Sequence, residues 1–401
     1  MKEIKECEIC GSRDLVEVLD LGSQPLCDNL IPIGSESTCR EYPIKILYCR
    51  KCCSAHQMFQ VEKETLFPHD YHYRSRFTKD VLSGMRDLVE ECSSKWGDLS
   101  GKTVIDIGCN DGSLLNFFRE KGCITIGVEP TDACGDAVAE GHEAYQEYFV
   151  TELAKKIREK HPTIDIITFT NVFAHIDDLK GLMEAVKELS NEKTLLVIEN
   201  HYMGEIIEKH QFDTFYHEHP RTYSLHSFDV IAKNLGKALL DVQFPKRYGG
   251  NIRVYIGDNA LYETSRENIE KVLKVENGYF GRFGELENYM VKWKQEKLSE
   301  INDLVLQYGS LRAKAFPGRA AILIKLLGLS TEHISKVYEK PGSKKVGNYV
   351  PGTRIEIHSD DELFAESDQT LPIINLAWHI PNEIRSYLSE NGYKGKVIDI
   401  V

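Results

Sequence analysis

Thr103-Val104-Ile105-Asp106-Ile107-Gly108-Cys109-Asn110-Asp111-Gly112 is the stretch on which the fold turns. Its first half is a short β-branched run, the composition of a strand buried on both faces. Its second half breaks that strand with two glycines and leads into SLLNFFREKG, a turn followed by a helix. The pattern recurs downstream. ITIGVEP (124–130) reads as a second strand, and IDIITFTNVF (164–173) and TLLVIEN (194–200) as two more, with helical stretches between them. Alternation at this spacing predicts a mostly parallel α/β sheet covered on both faces. Such sheets bind ligands at the carboxyl ends of their strands, so the residues just after each strand are the first site candidates.

Gly108 permits a tight turn, and Gly112 lets backbone approach a ligand at the helix start. The loop is not G-x-G-x-x-G, because Asn110 stands two residues after Gly108; a pyrophosphate needs glycine there. An acidic, amide-bearing loop suits a cationic ligand with a free amino group instead. Glu129, ending the second strand, can accept hydrogen bonds from both ribose hydroxyls of an adenosine. The pattern D-x-G-x-N-D-G followed by V-E-P resembles the S-adenosylmethionine site of class I methyltransferases. That resemblance implies that Asp106, Gly108 and Asn110 line the methionine end, with Gly112 closing the loop. It puts Glu129 on the ribose and Asn171 near the sulfonium.

The 401 residues carry 49 Lys+Arg against 62 Asp+Glu, a formal net charge of -13. A uniformly acidic chain is a poor partner for a phosphate backbone or an anionic membrane, so neither nucleic acid nor membrane is expected. No apolar run approaches the roughly 20 residues of a membrane span. MKEIKECEIC is not a signal peptide, and the expected location is the cytoplasm. In a reducing compartment the eleven cysteines are metal ligands or buried thiols rather than disulfides.

Cys7 and Cys10 form one C-x-x-C knuckle, and Cys49 and Cys52 a second. Two knuckles complete a tetrahedral four-sulfur site for Zn²⁺, and with no open position the metal is structural. Cys53 and His56 are the nearest competing ligands. Further along, Phe215-Tyr216-His217-Glu218-His219 gathers titratable groups after the TLLVIEN strand. On an extended segment His217 and His219 share a face and Glu218 points away. His175, just after the IDIITFTNVF strand, lies at the same end of the sheet. A metal site and a solvated loop are alternatives, but H-E-H lacks the H-E-x-x-H spacing, and imidazoles suit general acid/base work near neutral pH.

The order of motifs resembles the deoxysugar C-methyltransferases along nearly the whole chain. It runs from the paired knuckles through Gly22-Ser23-Gln24-Pro25-Leu26 and Tyr71-His72-Tyr73-Arg74-Ser75 to the cofactor loop and FDTFYHEH (212–219). It continues with Gly249-Gly250-Asn251-Ile252-Arg253 and KVGNYVPGT (345–353). The resemblance implies methylation of a nucleotide-linked keto sugar on the carbon beside its ketone, with S-adenosylmethionine and structural zinc as cofactors. By motif, His219 is the base, Glu218 its orienter, Tyr216 and His175 surround the sugar, and Tyr71 or Tyr73 closes the site. A methyl transfer to oxygen or nitrogen of a related sugar nucleotide or small metabolite is the alternative.

The expected architecture is a zinc-binding domain (1–75), a class I methyltransferase domain with a Rossmann-like sheet (76–260) and a C-terminal α/β Rossmann-like domain for the substrate nucleotide (261–401). The chain is expected to be a monomer. Residues 262–312 are charged and helix-favouring, and a weaker alternation follows, with RAAILIKLLGL, KVYEK, RIEIHS, TLPIINLAW and KVIDIV as its candidates. Three positions depart from the family. Tyr248 replaces a histidine. Ala315-Phe316-Pro317-Gly318-Arg319-Ala320 is glycine-poor, with Arg319 in place of a lysine able to pair with a phosphate. Arg221 stands where the family is apolar or aromatic, and is expected to meet an additional anionic group.

Overall fold

A computed structural model describes residues 1–66, 74–77 and 79–401. Its central sheet contains β4 (Thr103–Ile107), β5 (Ile124–Val128), β6 (Glu143–Tyr145), β7 (Ile166–Thr170), β8 (Leu195–His201), β10 (Ala238–Gln243) and β11 (Asn251–Gly257). The spatial order is β6-β5-β4-β7-β8-β11-β10. β6 through β8 pair in parallel, and β11 runs antiparallel to both its neighbours. Counted along the chain this is 3-2-1-4-5-7-6, the class I methyltransferase arrangement expected from the cofactor loop.

Every residue of β4 is buried, because helices cover both faces. Val104, Ile166, Leu195 and Val197 pack with Leu88 and Phe118 on one side. Ile105, Ile107, Ile167, Phe169 and Ile198 pack with Leu153, Ile157 and Leu182 on the other. The alternation along each strand thus fills two apolar layers, which is why these strands read as near-continuous hydrophobic runs.

The N-terminal sheet holds β1 (Leu15–Pro25), β2 (Glu41–Cys49) and β3 (Ala55–Gln57), all antiparallel. Its fourth strand is β9 (Arg221–Thr222), which comes from beyond the H-E-H segment and pairs with β3. Two long helices, Arg266–Glu276 and Tyr279–Tyr308, occupy the charged stretch.

The last sheet orders β16 (Val397–Asp399), β15 (Ile373–Asn375), β12 (Leu311–Lys314), β13 (Ile334–Glu339) and β14 (Glu356–Ser359), all parallel. It is extended by Asn348–Tyr349 and by Ile31–Pro32 from the N-terminal region. This is a second open, Rossmann-like sheet, as expected. Within that alternation RAAILIKLLGL forms a helix over Ala320–Leu327, and the first strand is the short, charge-bearing β12. Lys314 of that strand is buried because Asp360 takes its ammonium at 2.7 Å.

Candidate functional site

The sulfurs of Cys7, Cys10, Cys49 and Cys52 lie within 4.8 Å of one another. Cys7 and Cys52 are 3.5 Å apart, and Cys10 and Cys49 are 3.6 Å apart. Four sulfurs at the usual Zn–S length of about 2.3 Å would sit about 3.8 Å apart, so the cluster fits tetrahedral Zn²⁺. Main-chain bonds build each knuckle: Gly11 N donates to the Cys7 carbonyl at 2.8 Å, and Cys53 N donates to the Cys49 carbonyl at 2.9 Å. Gly11 (φ 69°) and Cys53 (φ 53°) occupy matching left-handed positions. Cys53 is therefore the turn residue of its knuckle and not a ligand. Nor is His56 one: its Nε2 is 3.0 Å from the Ser54 hydroxyl, which lies 3.2 Å from the Cys52 sulfur.

Gly108 has φ +74°, and a Cβ there would fall 2.3 Å from Val172 Cγ2. Only glycine lets the loop after β4 cross this close to the turn after β7. Asn110 (φ 49°) and Asn171 (φ 56°) also adopt left-handed backbone. Glu129 accepts from Asn110 N (3.1 Å), Thr131 N (3.0 Å) and the Thr131 hydroxyl (2.7 Å). Asp106 accepts from the Thr168 hydroxyl at 2.7 Å, and burial pushes its carboxyl up to about 7, with the Glu129 charge adding to the rise. Asp111 accepts from Ser113 N, the first residue of the next helix, at 3.2 Å and from Arg76 N at 2.9 Å. Ser75 N donates to the Asn110 side chain at 3.0 Å. Ser75, the last residue of the Tyr-His-Tyr-Arg-Ser run, and Arg76 after it thus lie against the loop. Tyr71 and Tyr73 lie outside the described residues.

Asn171 shares a polar network that the sequence did not reveal. Its Oδ1 accepts from Asn251 Nδ2 at 3.0 Å, and the same amide reaches Glu199 at 2.9 Å. Glu199, fully buried, also pairs with Arg247 and with Arg253 at 2.8 Å. Those two guanidiniums hold its carboxyl below the usual carboxylate range despite burial. The Gly-Gly-Asn-Ile-Arg motif therefore supports the carboxyl edge of the sheet from the antiparallel strand β11. At the same edge the Thr170 hydroxyl and the Asn200 amide are buried without a hydrogen-bond partner. Buried polar atoms are usually paired, so the edge has capacity for a polar ligand.

Tyr216 to His219 form a turn, in which His219 N donates to the Tyr216 carbonyl at 2.9 Å. The H-E-H side chains therefore diverge, unlike those of the extended segment expected. His217 turns away, its Nε2 lying 3.1 Å from the Tyr42 carbonyl. The Glu218 carboxyl lies toward Asp28 and Lys345 and is raised well above its ordinary range, chiefly by burial. The expectation that Glu218 orients His219 is corrected: consecutive turn residues project apart, and the contribution of Glu218 is its carbonyl, 2.8 Å from His175 Nδ1.

His219 is buried at 4% exposure. Its Nε2 lies 3.0 Å from the Tyr216 hydroxyl, and its ring is edge-on to His175 with centroids 4.7 Å apart. His201, directly after the TLLVIEN run, adds a third imidazole, 5.4 Å from His219 between centroids. Inspection of every strand end would have found it. Burial, then the neighbouring His175, His201 and Arg319, holds His219 well below its ordinary value, against a backbone hydrogen bond to Thr214. Burial likewise lowers His175 to about 4 and His201 to about 3. All three rings are neutral at pH 7. The tautomer that satisfies both Thr214 and Tyr216 leaves the lone pair at Nε2.

Arg319 reaches this cluster from the start of the helix Ala320–Leu327 in the C-terminal region. It donates to the Thr214 hydroxyl at 2.9 Å and lies 3.3 Å from Asp213, which also accepts from Trp378 Nε1 at 3.0 Å. The guanidinium expected to pair with a phosphate is thus engaged with the FDTFYHEH segment. Arg221 meets an anionic group, but it is Glu8 of the chain itself.

No described helix is long and apolar enough to cross a membrane. Residues 7–67 match a zinc binding domain family, residues 76–242 the methyltransferase domain family and residues 246–398 the C-methyltransferase C-terminal domain family. The chain is 26% identical to C-methyltransferase NovU of Streptomyces niveus, over 96% of this chain and 92% of that protein. Ubiquinone biosynthesis O-methyltransferase of Rhodopseudomonas palustris (strain BisB18) is 27% identical over 29% of this chain and 48% of that one. The solved magnesium protoporphyrin IX methyltransferase of Synechocystis PCC 6803 with bound S-adenosylmethionine overlaps 45% of this chain and 80% of its own, at 13% identity and a TM-score of 0.34. With its own strand order, four-sulfur cluster and three consecutive domain matches, the chain is an S-adenosylmethionine-dependent methyltransferase with structural zinc, similar along nearly its whole length to a C-methyltransferase.

Proposed function

We propose that this enzyme methylates the carbon beside the ketone of a nucleotide-linked keto-deoxysugar. The observation that carries the reading is a buried, neutral His219, its Nε2 capped by the Tyr216 hydroxyl, at the sheet edge that also presents the cofactor loop. On this reading His219 removes the proton from the acidic carbon, and the C–H electron pair becomes the C=C bond of an enolate. An imidazole held this low accepts a proton poorly on its own. The negative charge developing on the enolate beside it makes the imidazolium tenable. A positioned base of this kind contributes about 10²–10⁴ in rate.

Tyr216 caps that Nε2 lone pair until substrate takes its place, then serves as a donor near the oxygen. His175 and His201 wall the pocket. Asp106, Gly108, Asn110, Gly112, Glu129 and Asn171 hold the cofactor; a ribose diol on Glu129 requires the Thr131 hydroxyl to turn away. S-adenosylmethionine, when bound, supplies an electrophilic methyl on its sulfonium and leaves as S-adenosylhomocysteine. The C-terminal region, touching the cluster through Arg319, holds the nucleotide.

The test is product analysis with ¹³C-methyl S-adenosylmethionine and a panel of dTDP-, GDP-, UDP- and CDP-linked keto sugars. A carbon-bound methyl next to the ketone is expected. One observation favours the alternative: Arg319 is bound to Asp213 and Thr214 rather than open to a phosphate. A methyl on oxygen or nitrogen would establish that alternative, and no methylated product across the panel would defeat the sugar reading.

A further inference from the structure

Arg221 is fully buried, two residues after His219. Its Nη1 pairs with the Glu8 carboxylate, and its Nε donates to the Tyr223 hydroxyl at 3.1 Å. Nη1 and Nη2 both point at the Asp177 carbonyl, at 3.3 and 3.4 Å. Asp177 lies two residues after His175. One guanidinium therefore ties together the two loops that bring His175 and His219 edge-to-face.

The third anchor, Glu8, lies inside the first zinc knuckle, between ligands Cys7 and Cys10. Its carboxylate also accepts from Gln60 at 2.8 Å and from the exposed Lys2 at 2.6 Å. The backbone repeats the connection. Arg221 pairs with His56 across β9 and β3, Gln57 N donates to the Pro220 carbonyl at 2.9 Å, and Gln57 Nε2 donates to the Tyr216 carbonyl at 3.2 Å. The H-E-H turn is thus carried by the edge of the zinc-domain sheet.

We propose that Arg221, held by Glu8 of the zinc knuckle, is a positioning residue that sets the His175 and His219 loops against each other, so that the zinc domain is part of the active-site scaffold. The proposal rests on the reading of His219 as the reacting base only for its catalytic consequence; the geometry is read without substrate. A planar fork is required, because an ammonium cannot serve Glu8, Tyr223 and the Asp177 carbonyl together.

The test uses the zinc-loaded full chain labelled with ¹⁵N-histidine, its imidazoles assigned by single substitutions and read in long-range ¹H–¹⁵N spectra. Arg221→Lys and the gentler Glu8→Gln should shift the His175 and His219 signals and leave those of His333 and His358 in place. Zinc content and S-adenosylhomocysteine affinity should stay within about twofold of wild type, and Lys2→Ala should change nothing. With any sugar nucleotide that the wild type turns over, kcat should fall about tenfold at unchanged KM for S-adenosylmethionine. Unmoved His175 and His219 signals in both variants would overturn the proposal. So would shifts spread over all histidines or accompanied by zinc release, since the pair would then serve general folding. Failure of the substrate panel above would leave the spectral result standing, so the two readings fail separately.

Discussion

Gly108→Ala puts the cofactor loop to a quantitative test. The substitution acts twice. An L-residue at φ +74° costs about 1–2 kcal/mol in left-handed backbone. The new Cβ also meets Val172, 2.3 Å from Cγ2 and 2.7 Å from Cγ1, and such overpacking costs about 1–3 kcal/mol. Together the loss is about 2–5 kcal/mol. The two parts separate in a double-mutant cycle. Val172→Ala deletes both clashing methyls, so Gly108→Ala/Val172→Ala should recover about 1–3 kcal/mol while the backbone strain persists. Urea unfolding of the four proteins gives the cycle, and titration with S-adenosylhomocysteine reports whether the loop still binds. The single variant should bind at least tenfold more weakly, with partial rescue in the double. A Gly108→Ala protein within about 0.5 kcal/mol of wild type, or a cycle with no coupling, would refute the reasoning.

Three further outcomes are expected. Asp106, pushed up to about 7 by burial, must be ionised to hold an ammonium group. Calorimetric S-adenosylhomocysteine affinity should therefore weaken as pH falls from 8 to 6, and Asp106→Asn should bind poorly with a flat profile. Replacing Cys49 by Ser should release the metal, read by atomic absorption as the loss of about one zinc per chain, and should lower the melting temperature, since structural zinc supplies folding free energy. Finally, His175 and His217 titrate at about 4 and His201 and His379 at about 3 in the fold, below about 6.5 unfolded. Their stabilisation is complete above that value and is lost as pH falls through it, by up to about 1.4 kcal/mol per pH unit for each ring. Asp106, Asp213 and Glu218, raised in the fold, act in the opposite sense but are outnumbered once the lowered His142 and His219 join the other rings, so urea midpoints should still drop from pH 6.5 to 4.5, and less steeply in His217→Gln.

What was legible in the sequence is what neighbouring residues determine. The strand Thr103–Ile107, its glycine-punctuated loop and Glu129 lie within one βαβ unit, and each knuckle within four residues. The apolar run at 319–329 could not be typed, because a helix buried along most of its surface, with Lys325 alone among its residues exposed, shows little amphipathic period. Lys314 disguised β12 as surface, since its partner Asp360 is 46 positions away. The same distance hid the couplings that shape the site. Arg319 reaches Thr214 across 105 residues, and Arg221 reaches Glu8 across 213. Alternation misplaced the H-E-H side chains because the segment closes into a turn, with the Tyr216 carbonyl accepting from His219 N.

The most direct measurement is solvent-deuterium wash-in at the carbon beside the ketone of the nucleotide-linked keto sugar, followed by NMR in D₂O with S-adenosylhomocysteine in place of the methyl donor. The wild-type enzyme should exchange that hydrogen, and His219→Ala should lose the exchange while binding S-adenosylhomocysteine normally. Exchange that persists in His219→Ala, or a sugar that is methylated on carbon by that variant at the wild-type rate, would contradict the assignment of His219 as the base.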